Sequence, residues 1–152
     1  MLEQLVPYVC GGLTHAPPEV RAFYRRIAKA SKRVTGLEAF NPCDHFDPIA
    51  NVSATDTQVY TAEERQIRAM TSAVLAMYCY ESWGSGMEVQ MANHSWNGGK
   101  RGIPAIIACP VGRKVSRIVS GGPAVKKVIY YHNEDEAESL VVNALEEVLS
   151  GK

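Results

Sequence analysis

Two kinds of hydrophobic pattern alternate along the chain. Short runs of consecutive apolar residues are typical of strands buried on both faces of a sheet, whereas apolar residues that recur every three or four positions indicate helices. The runs predict five strands, at residues 5–10, 37–40, 73–78, 103–109 and 125–131. Segments with helical spacing lie between them, so strand and helix alternate along the chain.

Several predicted helices carry start signals. Pro17-Pro18 opens the first helix, because the missing N–H of proline is harmless in a first turn. Thr61-Ala-Glu-Glu64 matches a capping box and predicts that the second helix begins at Thr61. Three further helices are predicted, over residues 87–94, over residues 115–119 and after the cap residue Asn133. Residues 41–59 are left as one long loop.

The alternation of strands and helices predicts the fold class. It is typical of an α/β protein with a parallel sheet covered by helices on both faces. A chain of 152 residues can bury a large core in one unit, so we expect a single domain over residues 1–152. Five strands favour a flavodoxin-like or Rossmann-like three-layer fold with strand order 2-1-3-4-5. That order predicts a ligand crevice beyond the first and third strands, at residues 8–14 and 78–86.

Composition and charge narrow the classes of partner. The chain has 16 basic and 16 acidic residues, so it lacks the positive charge of a protein that binds nucleic acid polymers or anionic membranes. No apolar run reaches the length of a membrane helix, and no secretory signal opens the sequence. The four cysteines form no C-x-x-C pair, which argues against zinc. We therefore expect a cytoplasmic protein with free thiols.

Glu88 is the strongest candidate for chemistry in the crevice. It follows Gly84 and Gly86, which allow a tight turn, and the free N–H groups of the next helix favour an anion there. A carboxylate in a first helical turn is held ionised by the helix dipole. Such a group can attack an anomeric carbon as a nucleophile. The alternative is that Glu88 only complements the dipole.

Other polar side chains are predicted at the same end of the sheet. Tyr8 lies near the end of the first strand, where its hydroxyl could orient Glu88; the alternative is a core tyrosine. Glu64 could serve as an acid, a base or a contact for a nucleobase, although the capping box explains it equally well. The loop hydroxyls of Ser82 and Ser116 suit phosphate oxygens, but loop serines are common.

Three of these segments resemble the nucleoside 2-deoxyribosyltransferase family, and most closely its branch of 2′-deoxynucleoside 5′-monophosphate N-glycosidases. Tyr8-Val-Cys-Gly11 resembles the Y-x-C-G strand end of that branch. Ser82-Trp-Gly84-Ser-Gly86-Met-Glu88 resembles its S-x-G-x-G-x-E turn, and Gly112-Arg-Lys-Val-Ser116 resembles a G-R-x-x-S segment. The likeness covers nearly the whole chain, but residues 41–59 match no segment of the family.

The resemblance implies an activity and a set of site residues. It implies a hydrolase that cleaves the N-glycosidic bond of a nucleoside 5′-monophosphate, with no metal or organic cofactor. Glu88 would be the nucleophile, Tyr8 would orient it, and Glu64 would assist the base or the water. It also implies a homodimer with shared active sites, in which the substrate is bound by Gly11, Leu13, Ser82, Gly84 and Gly86 and by Ser116 from the partner.

Some positions depart from the pattern of the branch. Counting back from Glu88, the family's upstream aspartate falls on Glu64, which keeps the charge but is longer by one methylene. Ser72 stands where an aspartate often ends the same helix, and Thr14 replaces a basic residue. Two alternatives therefore stay open. One is a deoxyribosyltransferase, against which the phosphate contact of Ser116 argues; the other is a nucleotide-binding module without turnover.

Overall fold

The structure, a computed structural model, describes residues 4–47, 50–80, 82–97 and 102–151, without the side chains of residues 96 and 97. Within them the strands are β1 (Val6–Cys10), β2 (Thr71–Met77), β3 (Ala105–Pro110) and β4 (Val125–Tyr131). The helices are α1 (Pro18–Ala30), α2 (Lys32–Thr35), α3 (Pro42–His45), α4 (Asp56–Met70), α5 (Trp83–Asn97), α6 (Arg117–Ser120) and α7 (Glu134–Ser150). No helix in these ranges has both the length and the apolar character needed to cross a membrane.

The four strands form one parallel sheet in the order β1-β2-β3-β4. Tyr8 pairs with Val74, Val74 with Ala105, and Ala105 with Val125. Each strand coincides with one of the apolar runs of the sequence, because strands of a parallel sheet are covered on both faces. The predicted Rossmann-like α/β class is therefore confirmed.

Helices cover both faces of the sheet, and each face has its own core. Successive strand residues point to opposite faces, so neighbours in sequence join different cores. Val9 and Leu75 pack with α1 and α7 on one face. Tyr8, Val74 and Ile107 pack with residues of α4 and α5 on the other. Tyr8 therefore faces the two helices that carry the candidate carboxylates.

The five-strand order 2-1-3-4-5 is not confirmed, because residues 37–40 do not form a strand. Phe40 makes a single parallel bridge with Tyr8, at the outer edge of β1. The segment is held by helices at both ends. The carbonyl of Leu37 accepts a hydrogen bond from Thr35 at the end of α2, and Asn41 caps α3 by accepting from the backbone of Cys43 at 3.1 Å. Too few residues lie between these two hydrogen-bonded ends to pair with β1 as a regular strand.

The predicted start of the second long helix is wrong. Helix α4 begins at Asp56, and its N-cap is Thr55. Thr55 and Gln58 form the capping box, with the Gln58 N–H donating to Thr55 Oγ1 at 3.2 Å and the Thr55 N–H donating to Gln58 Oε1 at 2.8 Å. Thr61 lies inside the helix, where its backbone needs no cap. Because α3 and the first turn of α4 occupy part of residues 41–59, the predicted long loop is also wrong.

Residues 84–86 were predicted as a turn before a helix, and this prediction is also wrong. Helix α5 begins at Trp83, so both glycines lie in its first turn. The hydroxyl of Ser82 accepts a hydrogen bond from the Ser85 N–H at 3.3 Å, as an N-cap residue does. Two other predicted helix starts are confirmed: Pro18 is the first residue of α1, and Asn133 caps α7.

Candidate active site

A pocket of about 520 Å³ opens between α4 and α5, on the sheet face that carries Tyr8. We call it the acidic pocket, because its described lining contains three carboxylates and no lysine, arginine or histidine. The remaining lining residues are mostly apolar, which is typical of a small-molecule site. Its described lining residues are Phe46, Asn51, Val52, Ala54, Asp56, Val59, Tyr60, Glu63, Gly84, Met87, Glu88 and Met91.

Tyr8 and Glu88 meet at this pocket. The Tyr8 hydroxyl donates a hydrogen bond to Glu88 Oε1 at 2.5 Å, and both side chains are buried. Burial is the main cause that raises the pKa of Tyr8 well above its ordinary value, and the charge of Glu88 adds to it. The phenol therefore stays protonated and acts as a donor. The predicted contact between these two residues is present.

The ionisation of Glu88 differs from the expectation. Glu88 is only 6% exposed, and burial, with the charge of Glu63 added, raises its pKa to about 8. The hydrogen bond from Tyr8 acts in the opposite direction. Because α5 begins at Trp83, Glu88 lies in the second turn, beyond the part of a helix where the dipole acts strongly. Loss of water outweighs the dipole, so the carboxyl is mostly protonated at pH 7.

The second carboxylate of the pocket is Glu63, not Glu64. Glu63 lines the pocket with Glu88, burial raises its pKa, and its charge acts on Glu88. Glu64 is not among the described lining residues and instead forms an ion pair with Arg68 at 3.0 Å. The structure thus does not bring Glu64 to Glu88. The sequence did contain a signal for Glu63, because it lies four residues after Val59 and four before Ile67 and so shares a helix face with both, whereas the same spacing pairs Glu64 with Arg68.

Cys10 is a further neighbour of Glu88 that the sequence analysis did not single out. It ends β1, is buried, and its thiol lies beside Glu88, where it acts to lower the pKa of that carboxyl. Burial is the main cause that raises the pKa of this thiol, and the adjacent carboxylate adds to the effect. Cys10 is therefore a second neutral donor beside Glu88, two residues after Tyr8, because alternate strand residues share a face.

A second pocket, of about 370 Å³, lies beside the start of α5. We call it the loop pocket, because the loop after β1 forms one side of it. Three predicted substrate contacts line it, namely Leu13, Ser82 and Gly84. Gly84 lines the acidic pocket as well, so the two pockets adjoin at this glycine. The other described lining residues are Gly12, Thr14, His15, Ala16, Tyr80 and Trp83.

The other predicted substrate contacts lie elsewhere. Gly11 packs against the ring of Tyr24, where a Cβ atom would come within 2.4 Å of a ring carbon. Gly86 lies in α5 but is not among the described lining residues of either pocket. Ser116 precedes α6, is exposed, and also lines neither pocket.

Arg21 holds the loop that lines the loop pocket through hydrogen bonds to its backbone. Its guanidinium donates to the carbonyl oxygens of Leu13 at 2.8 Å and Ala16 at 3.2 Å, and it forms an ion pair with Asp47. Arg21 is buried on α1, and a buried arginine needs such partners because an unpaired buried charge is costly. It therefore ties the loop after β1 to the segment after α3.

The donor set of the site does not suggest a metal centre. Within the described ranges, no group of three or more His, Cys, Asp and Glu side chains could hold a metal ion.

Comparison of the sequence with protein-family models gives no match, and comparison with curated proteins gives none either.

Proposed function

We propose that the protein is a hydrolase that cleaves the N-glycosidic bond of a nucleoside 5′-monophosphate, with Glu88 as the nucleophile. The observation that carries this proposal is the buried hydrogen bond from Tyr8 to Glu88 at the floor of the acidic pocket. A buried carboxyl with a strongly raised pKa and a specific donor is an arrangement concentrated at functional sites. The three motifs that resemble the N-glycosidase branch support the same activity.

The reaction proceeds in two displacements at the anomeric carbon. In the first, an ionised Glu88 oxygen bonds to C1′, the C1′–N bond breaks, and its electron pair leaves with the base, which takes up a proton. In the second, a water oxygen bonds to C1′, the bond to Glu88 breaks, and the water gives up a proton. Glu63 is the neighbouring carboxyl that can hold or accept a proton in either step. The products are the free base and the sugar 5-phosphate.

The raised pKa of Glu88 has a role in this scheme. The oxocarbenium-like transition state is positively charged, and a negative carboxylate in a water-poor pocket stabilises it strongly. Tyr8 and Cys10 donate to Glu88, so they hold its oxygens in place when it is ionised. The free protein keeps Glu88 protonated over most of the neutral range. Its activity therefore depends on the fraction that ionises.

The adjoining loop pocket is the proposed place for the 5′-phosphate. It offers the hydroxyl of Ser82 and the backbone at the start of α5, where free N–H groups favour an anion. The acidic pocket is unsuitable for phosphate, because its carboxylates would repel it. Since the two pockets meet at Gly84, one nucleotide can place its sugar near Glu88 and its phosphate in the loop pocket.

The test is a base-release assay on a panel of nucleoside monophosphates and nucleosides. Glu88→Gln keeps the size and the hydrogen-bond acceptor but removes the nucleophile, so we expect a loss of roughly three orders of magnitude or more in rate. Glu64→Gln is the matched control, because Glu64 is a glutamate that the structure does not bring to the pocket, and it should retain activity within about twofold. Turnover by Glu88→Gln within about tenfold of the parent would refute the assignment.

The same panel separates the proposed hydrolase from its two alternatives. A deoxyribosyltransferase would form a new nucleoside only when a second base is supplied. A nucleotide-binding module would bind the monophosphate without releasing base. The raised pKa of Glu88 is the observation that favours the module at neutral pH, because a protonated carboxyl is not a nucleophile. The assay is therefore run from pH 6 to pH 9.

We further propose that the protein is a homodimer in which the partner supplies Ser116 to the phosphate. Ile118, two residues after Ser116, is 90% exposed, and a partner subunit at this face would cover it. In a two-fold dimer each contact occurs twice, so both sites would be shared.

Mixing Glu88→Gln subunits with Ser116→Trp subunits tests the shared site. One hybrid site would carry both intact residues, so part of the activity should return. Monomeric behaviour in light scattering, or no rescue among subunits shown to exchange, would refute the shared site.

A further inference from the structure

The acidic pocket is lined by matching stripes on two helices. Along α4 the lining residues are Asp56, Val59, Tyr60 and Glu63, and along α5 they are Gly84, Met87, Glu88 and Met91. Both sets have the spacing i, i+3, i+4 and i+7, which places their members on one face of a helix over two turns. The pocket is therefore a groove between two helix faces, and the two ends of each stripe lie at different depths along it.

The α4 stripe is polar at its ends and apolar between them. Glu63 lies at the inner end, near Glu88, and Asp56 lies at the outer end. The two acidic residues are seven positions apart, which corresponds to about 10 Å along the helix. Val59 and Tyr60 stand between them and suit the faces of a flat ring. A ligand whose sugar reaches Glu88 would thus extend its base toward Asp56.

The outer end of the groove offers hydrogen-bond acceptors. No ion pair of the described residues involves Asp56. Asn51 uses its Nδ2 to donate to the backbone carbonyls of Asp47 at 3.1 Å and His45 at 3.5 Å. This leaves the Oδ1 of Asn51, an acceptor, as its remaining polar atom. Asp56 and Asn51 are both exposed, so water can satisfy them, and a ligand that fills this end is matched best when it brings N–H donors in place of that water.

On the basis of the proposed function, we propose that Asp56 selects bases that carry an exocyclic amino group at the edge remote from the sugar. Adenine and cytosine present an N–H₂ donor there, whereas hypoxanthine and uracil present a carbonyl oxygen at the same position. A carboxylate accepts from the amino group and repels the carbonyl. Asp56 lies within residues 41–59, the segment that matches no part of the resembled family. Its proposed role therefore rests on its position in the lining of the acidic pocket.

Equilibrium binding in the Glu88→Gln background tests this without turnover. Titration calorimetry compares dAMP with dIMP and dCMP with dUMP, two pairs in which an amino group is replaced by a carbonyl. We expect the amino member of a pair that binds to be favoured roughly 5- to 20-fold, since Asp56 accepts from an amino group, whereas water at this exposed end offsets part of the mismatch with a carbonyl. Adding Asp56→Asn should reduce this ratio to about twofold, because an amide can donate as well as accept.

Asp135→Asn is the matched control. Asp135 is also an aspartate in the first turn of a helix, α7, but it is not among the described lining residues of the pocket. Its replacement therefore shows the effect of losing a charge at a helix start alone. This variant should keep the full amino preference. Thermal unfolding of both variants verifies that they are folded.

The outcomes distinguish this proposal from the proposed function. An equal affinity for amino and carbonyl bases, or a preference that survives Asp56→Asn, would overturn the role of Asp56 even if the parent protein releases base. An amino preference that Asp56→Asn abolishes, in a parent that never releases base, would uphold Asp56 and overturn the hydrolase. Failure of every nucleotide to bind would overturn both.

Discussion

Replacing Glu88 with glutamine removes one titratable proton from a buried position and keeps nearly the same shape. In the native protein the pKa of Glu88 is raised from its ordinary value of 4.5 to about 8. In the unfolded chain the same carboxyl ionises near its ordinary value. Between these two pH values the native state therefore binds a proton that the unfolded state has released. Stability must fall as the pH rises through this window.

The size of the effect follows from the width of the window. A pKa shift of one unit corresponds to about 1.4 kcal/mol. The contribution of Glu88 to the free energy of unfolding therefore falls by up to about 5 kcal/mol between pH 4.5 and pH 8. Between pH 5.5 and pH 7.5 the free energy of unfolding of the parent should fall by about 3 kcal/mol relative to Glu88→Gln. The variant should thus be the more stable protein at pH 7.5, because glutamine can still accept from Tyr8.

Urea unfolding at several pH values measures this difference. Glu64→Gln serves as the reference for the loss of a carboxylate that is not at the pocket, and its curve is subtracted. Glu63 is present in both proteins, so its own titration largely cancels. If the unfolding free energies of the parent and Glu88→Gln ran parallel within about 0.5 kcal/mol from pH 5.5 to pH 7.5, Glu88 would not be a buried neutral acid.

The remaining predictions concern the pH profile and two glycines. The kcat/KM for base release should rise with pH around the pKa of Glu88, about 8. Glu63→Gln removes a negative neighbour and should move the rise to lower pH, whereas Tyr8→Phe removes a donor and should move it to higher pH; equal directions would contradict the electrostatics. In urea unfolding, Gly11→Ala should cost roughly 1 to 3 kcal/mol, because its Cβ would meet a buried ring at 2.4 Å. Gly86→Ala should instead stabilise by up to about 1 kcal/mol, because nothing lies within 4 Å of that Cβ and the residue is helical; a loss there would show that Gly86 needs its freedom.

The strands were predictable because burial on both faces leaves a simple signal. The four apolar runs that became strands have no competing local signals strong enough to break them. Residues 37–40 have a similar pattern, but Asn41-Pro42 starts a helix directly after them. Whether residues 37–40 form a strand depends on the helix cap that follows them, and the apolar pattern of these residues carries no information about that cap.

The site was predictable in part, and its main error has a local cause. Tyr8 and Glu88 could be brought together because Tyr8 lies in β1 and Glu88 lies near the start of the helix that follows the neighbouring strand β2. The choice of Glu64 rested on counting back from Glu88 to the upstream aspartate of the resembled family, and such a count does not show which face of the helix a residue occupies. The capping box that was the alternative explanation of Glu64 is also absent, because Thr55 provides the cap. The buried Ile67 fixes which face of the helix points inward, and that face includes Glu63. The ionisation of Glu88 could not be predicted, because it depends on burial by distant segments.

The helix stripes of the acidic pocket place recognition and chemistry on positions that evolution can change separately. Tyr8 and Glu88 are buried where the sheet meets α5, so few substitutions there preserve the fold. Tyr60 and Met87 are 42% and 52% exposed, and neither belongs to a hydrophobic core. Mutations at such positions are tolerated well. Under the proposed function, a lineage of this fold could therefore shift its preferred base through single surface substitutions while it keeps the same buried carboxyl.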